Sequence, residues 1–214
     1  MVRGADSLVP LAGRTARRFS SNRLLRQNLT FLSGSLVAGF FSYAFQFLAG
    51  RLLGPKGYGV VASAFAFYNI LAISLLVVLT VTMRPAAALY GAGNLAGLRY
   101  LFRRLTLLML VSGAVVAVVY LVTLPALAAF LRVPVPVLLS LSPAVALTLV
   151  VGVNRGILQG EGRFGWLSAV LTSESAGRAA LAAVLVHVGF GSSGALGGVS
   201  MAKGLAYLRG LVAL

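Results

Sequence analysis

Long apolar blocks alternate with short polar or glycine-rich breaks along this chain. The first two blocks, residues 28–50 and 60–83, contain no charged residue. Each is long enough to cross a hydrocarbon core of about 30 Å at about 1.5 Å rise per residue. Four more blocks follow at 105–127, 136–158, 166–188 and 194–214. Inside lipid the backbone must satisfy its own hydrogen bonds, so every block predicts a helix. The pattern therefore reads as an all-α membrane protein: a basic tail, residues 1–27, followed by a lobe of six transmembrane helices, residues 28–214.

The breaks between blocks have their own chemistry. Residues 51–59 concentrate Gly54, Pro55, Gly57 and Gly59, which cannot continue a helix cheaply. Residues 94–104 are amphipathic, with Leu95, Leu98, Leu101 and Phe102 beside Arg99, Arg103 and Arg104, which suits a water–lipid interface leading into the third span. Residues 128–134 read as a short turn carrying Arg132. Pro143 falls inside the fourth block and predicts a kink there. Residues 156–166, with four glycines and the Glu161/Arg163 pair, read as a tight solvated connector, and residues 189–193 as a very short one.

Composition agrees with that pattern. Hydrophobic residues make up 59% of the 214 and charged residues 10%, against about 25% charged in soluble domains. A net charge of +15 would suit nucleic acid in a soluble chain. Here most arginines flank apolar blocks, where positive charge sets topology and meets anionic lipid head groups, so membrane lipids are the expected partners and nucleic acid is not. With the amino terminus inside, twelve Lys and Arg fall in inner segments against Arg51, Lys56 and Arg132 outside. Both termini are therefore expected in the cytoplasm. Among the inner twelve are Arg155 and Arg163, both assigned to the third inner connector. Cysteine is missing, which removes disulfides and thiolate metal sites, and no cofactor motif is present. The basic start is expected to be a cytoplasmic tail rather than a signal peptide, because the apolar run after it is too long and more spans follow.

A first span with small and polar residues, the turn Arg51-Leu52-Leu53-Gly54-Pro55-Lys56-Gly57-Tyr58-Gly59 and a second span resemble the amino-terminal region of bacterial polysaccharide flippases. These are the oligosaccharide- and O-antigen-lipid flippases of the multidrug/oligosaccharidyl-lipid/polysaccharide exporter superfamily. The glycine-rich, basic-aromatic turn at residues 156–166 resembles the same family, and the likeness runs over most of the chain from Asn28 onward. It implies a transporter in the bacterial plasma membrane with two six-helix lobes facing a central cavity. It also implies a lipid-linked oligosaccharide cargo with an anionic pyrophosphate, used in cell-surface polysaccharide biosynthesis. Only one such lobe is present here. The expectation is a fragment or truncated copy, with a half-transporter that pairs with a second copy as the other reading; a missing second lobe or a homodimer partner is implied either way.

Candidate chemistry lies in the spans. Asn28, Ser35, Gly39, Ser42, Gln46 and Ala49 recur mainly at steps of three and four and share one helical face. That face is either a small-residue packing surface or the wall of a hydrated cavity. Glu174 and Arg178 are four apart on the fifth span, in the order that favours pairing. Each charge alone costs about 2.5–3.5 kcal/mol at the centre of a span. Either the two satisfy each other, or Arg178 lines a cavity that receives an anion. Lys203 sits mid-span in the sixth block, where it would join Arg178 in such a cavity. Arg178, Glu174, Lys203, Gln46, Ser42 and Ser35 are thus the candidate cavity residues. Gly194 and Gly198 read as close helix packing, and His187 as interfacial.

Two other functions compete. A cation-coupled multidrug exporter of the same superfamily needs intramembrane carboxylates, and Glu174 is the one on offer. A non-transporting fragment or assembly partner needs none of this chemistry. A membrane enzyme would need clustered acids or histidines in its loops, and the loops hold only Asp6 and Glu161, far apart in sequence.

Overall fold

The structure is a computed structural model that describes residues 9–213, with side chains from 25 to 212; the first part of the expected basic tail lies outside the described residues. The helices are α1 Val9–Gly91, α2 Leu95–Leu131, α3 Val135–Leu139, α4 Ser142–Gly160, α5 Phe164–Leu185 and α6 Gly191–Ala213, with a π-helical turn Val186–Phe190 before α6. Four stretches are long and apolar enough to cross a membrane. Two of these four contain a non-helical glycine, Gly54 within α1 and Gly189 before α6. Contacts across each glycine show that the chain doubles back there. Phe45 meets Phe65 with ring centroids 5.5 Å apart, and a Cβ on Gly198 would lie 2.6 Å from the Ala182 nitrogen. Six antiparallel spans result.

The first reversal is tighter than the residue types at 51–59 suggest. Helix runs up to residue 53 and resumes with Pro55, so the break is Gly54 alone, at φ 66 and ψ 179. That conformation is open essentially only to glycine. Pro55 can start the next helix because a first-turn residue needs no intrahelical N–H partner. The two arms of α1 are residues 9–53 and 55–91. The second arm runs through Pro85 and ends at Gly91, well past residue 83.

Other connections shrink in the same way. The amphipathic stretch at 94–104 is not a separate interfacial element. Asn94 accepts a hydrogen bond from the Gly97 N–H at 2.8 Å and caps α2, which then runs unbroken to Leu131. At about 1.5 Å per residue its 37 residues extend about 55 Å, far beyond the bilayer core. Arg132 adopts a left-handed conformation that ends it. The expected kink at Pro143 is a full break: α3 stops at Leu139, and Pro143 sits in the first turn of α4.

Glycines at four-residue spacing bring two of these rods together. On α4, Gly152, Gly156 and Gly160 face the second arm of α1. A Cβ on Gly156 would lie 2.7 Å from Thr82 Cβ and 2.9 Å from the Leu79 carbonyl oxygen. Gly156 and Gly160 are therefore packing residues inside a helix, and the inner connector narrows to residues 161–163. Arg155, counted above with the basic residues of that connector, lies within α4, as the 136–158 block already had it.

The main buried core joins Phe45, Val61, Ala64 and Tyr68 of α1 to Tyr120, Leu138, Leu141, Ala179, Leu196 and Val199 of the other helices. Large side chains such as Phe40, Tyr43, Val122 and Phe130 lie on the outside, as expected of a surface that meets lipid or another protein.

Candidate substrate cavity within the lobe

Arg155, Glu174, Arg178 and Lys203 lie within the spans and fall into three separate sets of contacts. Glu174 of α5 forms an ion pair with Arg155 of α4. It does not pair with Arg178 one turn along its own helix; among the described residues no carboxylate lies within salt-bridge distance of Arg178. The Arg178 guanidinium turns to α1. It donates from Nη2 to Ser42 Oγ at 2.6 Å and lies 5.3 Å from the ring centres of both Phe45 and Phe65. Aromatic faces carry negative charge density, so two rings stabilise a cation that makes no salt bridge among the described residues. The Arg178 Nε is buried and finds no hydrogen-bond acceptor. Ser42 in turn donates to the Ala38 carbonyl at 2.9 Å, which fixes its rotamer.

Lys203 is placed differently. It is 3% exposed, enclosed by the second arm of α1, α4 and α6. Its Nζ donates to the Tyr68 hydroxyl and, at 3.1 Å, to Thr148 Oγ1. The ammonium also lies 4.8 Å from the centre of the Tyr68 ring. This ends the expectation that Lys203 lines an open cavity beside Arg178: in this conformation its charge is sealed among hydroxyls and a ring. The two cations are neighbours through aromatics, since the Phe65 and Tyr68 rings stand 5.9 Å apart.

Of the polar face on the first arm, Ser42 alone joins this cluster. Gln46 is exposed and accepts a hydrogen bond from the Tyr58 hydroxyl at 2.9 Å. With Tyr58, Asn69, Phe45 and Phe65 it lines a small cleft of about 210 Å³ between the two arms of α1. The rings that carry Arg178 are thus also walls of that cleft. Ser35 is half-buried, and no side-chain hydrogen bond ties it to the cluster. Nearer the basic end the arm packs on α5: Ser168 donates to the Thr30 carbonyl at 3.1 Å and Thr172 to the Gly34 carbonyl at 3.3 Å. His187 lies exposed in the π-helical turn.

Phe45, Phe65, Tyr68, Thr148 and Arg155 were not legible as site residues. An aromatic or a threonine in an apolar block looks like core. The four-residue spacing of Gly152, Gly156 and Gly160 was the signal that the helix carrying Arg155 runs on to Gly160 and packs closely on a neighbour.

The arrangement leaves the Arg178 guanidinium without a salt bridge beside a small cleft, and known structures share the fold that holds it. The chain superposes on a MOP superfamily transporter from Pyrococcus furiosus, described as having a binding pocket of reversed polarity, with a TM-score of 0.75 at 20% identity over 87% of this chain and 43% of the other. A MATE transporter in complex with Br-NRF gives 0.74 at 20% identity, covering 87% and 44%. An outward-facing multidrug resistance MATE transporter gives 0.75 at 20%, covering 87% and 43%. No protein-family model and no curated protein matches the sequence. At this identity the likeness is one of fold. The chain is an all-α membrane protein with the fold of one lobe of those transporters, and it spans less than half their length.

Proposed function

We propose that this lobe serves a flippase that carries a lipid-linked oligosaccharide across the bacterial plasma membrane, presenting Arg178 to the anionic pyrophosphate. A second lobe, from a longer chain or a second copy, completes the cavity. Arg178 carries the reading: a half-buried guanidinium, held by Ser42 and two rings and left without a carboxylate, keeps its charge for an incoming anion. Guanidinium binds phosphate oxygens with a fixed fork of donors. Gln46 and Asn69 add polar contacts in the adjoining cleft for sugar hydroxyls. Rocking of whole lobes supplies alternating access.

The MATE-type fold is equally compatible with a multidrug exporter. Such an exporter of cationic compounds would draw on Glu174, and that carboxylate is occupied by Arg155. The complete gene product in proteoliposomes separates the two. Movement of a short-chain polyprenyl-pyrophosphate oligosaccharide, lost in Arg178→Ala, supports the flippase. Movement of a cationic dye alone, lost in Glu174→Gln, overturns it.

A further inference from the structure

A second cavity, of about 420 Å³, opens at the opposite end of the bundle from Gly54, clear of the cluster around Arg178. Its residues come from helix ends: Tyr90 from α1; Leu95, Leu98, Arg99 and Phe102 from α2; Ile157 and Glu161 from around the end of α4; Arg163 before α5; and Leu211 from α6. Leu98 and Ile157 are buried and form its floor, continuous with the small core of Ala86 and Val153. Leu95 and Tyr90 remain exposed at its mouth, at 56% and 47%.

We infer that this cavity is a binding site for an anionic phospholipid. Three observations converge on that occupant. The cavity lies at the end of the bundle that carries Arg84, Arg99, Arg103 and Arg104, the end that the bias of basic residues assigns to the inner leaflet. Its wall is divided: leucines and Phe102 suit acyl chains and a glycerol backbone, while Arg99 supplies a charge for a phosphodiester. The carboxylate present does not cancel that charge. Glu161 faces Arg163 at 3.4 Å, while Arg99 makes no ion pair among the described residues. A zwitterionic lipid would bring its own cation towards Arg99 and bind less well. A free phosphate would leave the leucines in water.

Native mass spectrometry of the purified full chain tests this with phosphatidylglycerol, phosphatidylcholine and glycerol phosphate. The expected result is one saturable phosphatidylglycerol site, about fivefold weaker in Arg99→Gln, retained in Arg99→Lys and unchanged in Arg104→Gln, whose arginine lies on the same helix outside the cavity. Equal binding of phosphatidylcholine overturns the inference, as does displacement by glycerol phosphate at matched concentration. Equal weakening by Arg99→Gln and Arg104→Gln does so too, because it signals diffuse attraction rather than a site. Arg99 is exposed, so its variants are expected to fold. The outcome is independent of whether the lobe transports anything.

Discussion

Glu174 reaches across to Arg155 on the neighbouring helix and leaves Arg178, one turn away on its own, to Ser42 and two aromatic rings. The acid therefore ties α4 to α5, and Arg178, with no salt bridge of its own among the described residues, is turned towards α1. Glu174→Gln should strand a part-buried Arg155 and lower stability by about 3 kcal/mol, the usual penalty for removing one partner of a buried pair. The double variant Glu174→Leu/Arg155→Met should recover most of that loss. Detergent-denaturation midpoints of Glu174→Gln, and of a double-mutant cycle made of the wild type, Glu174→Leu, Arg155→Met and their double variant, check it.

Arg178→Lys should be a poor replacement. A lysine keeps the charge but loses the planar contact with Phe45 and Phe65 and the forked donors. Transport of the pyrophosphate-linked cargo should fall at least about tenfold, the equivalent of about 1.4 kcal/mol, while membrane insertion stays unchanged. Wild-type rates in Arg178→Lys would remove Arg178 from substrate contact.

At Lys203 the expected signs are opposite for two variants. Lys203→Met removes a buried ammonium and leaves Tyr68 and Thr148 hydroxyls already 3.3 Å apart and able to bond each other. It should leave the denaturation midpoint unchanged or raise it, because apolar replacements of buried charge are often neutral or stabilising. Tyr68→Phe strips the ammonium of a partner and should lower the midpoint.

Substitution at the glycine stripe reports on backbone proximity. Gly156→Leu has to push Thr82 and the Leu79 carbonyl away from α4 and should cost about 1–3 kcal/mol or prevent assembly. Gly165→Leu should be tolerated, since nothing lies within 4 Å of a Cβ there. Thermal unfolding followed by size-exclusion chromatography separates the two.

The chain has no cysteine, so single-cysteine variants report sidedness without background. Lys56→Cys and Ser192→Cys should react with an impermeant maleimide from outside the cell, and Arg99→Cys and Arg163→Cys only after permeabilisation. The reverse pattern would invert the orientation drawn from basic residues.

Much of this fold was legible because lipid imposes one rule, and residue blocks obey it. The six spans follow from apolar length, and the first three blocks are also free of charge. What was not legible lay where glycine carries two meanings. At Gly54 it ends a helix in a conformation closed to other residues; at Gly156 and Gly160 it sits within a helix and lets a neighbour approach. Composition alone scores both as breakers, so the connector was drawn from residue 156 although the helix runs to Gly160. The same limit applied to the site. A step of four aligned Glu174 with Arg178, but the choice of partner was made by α4, whose position depends on those glycines.

The reversal at Gly54 has a mechanical corollary. A hairpin that turns through one residue has no slack, so its arms cannot telescope past each other by a helical turn. Whatever stroke this lobe performs, the two rods joined there travel together.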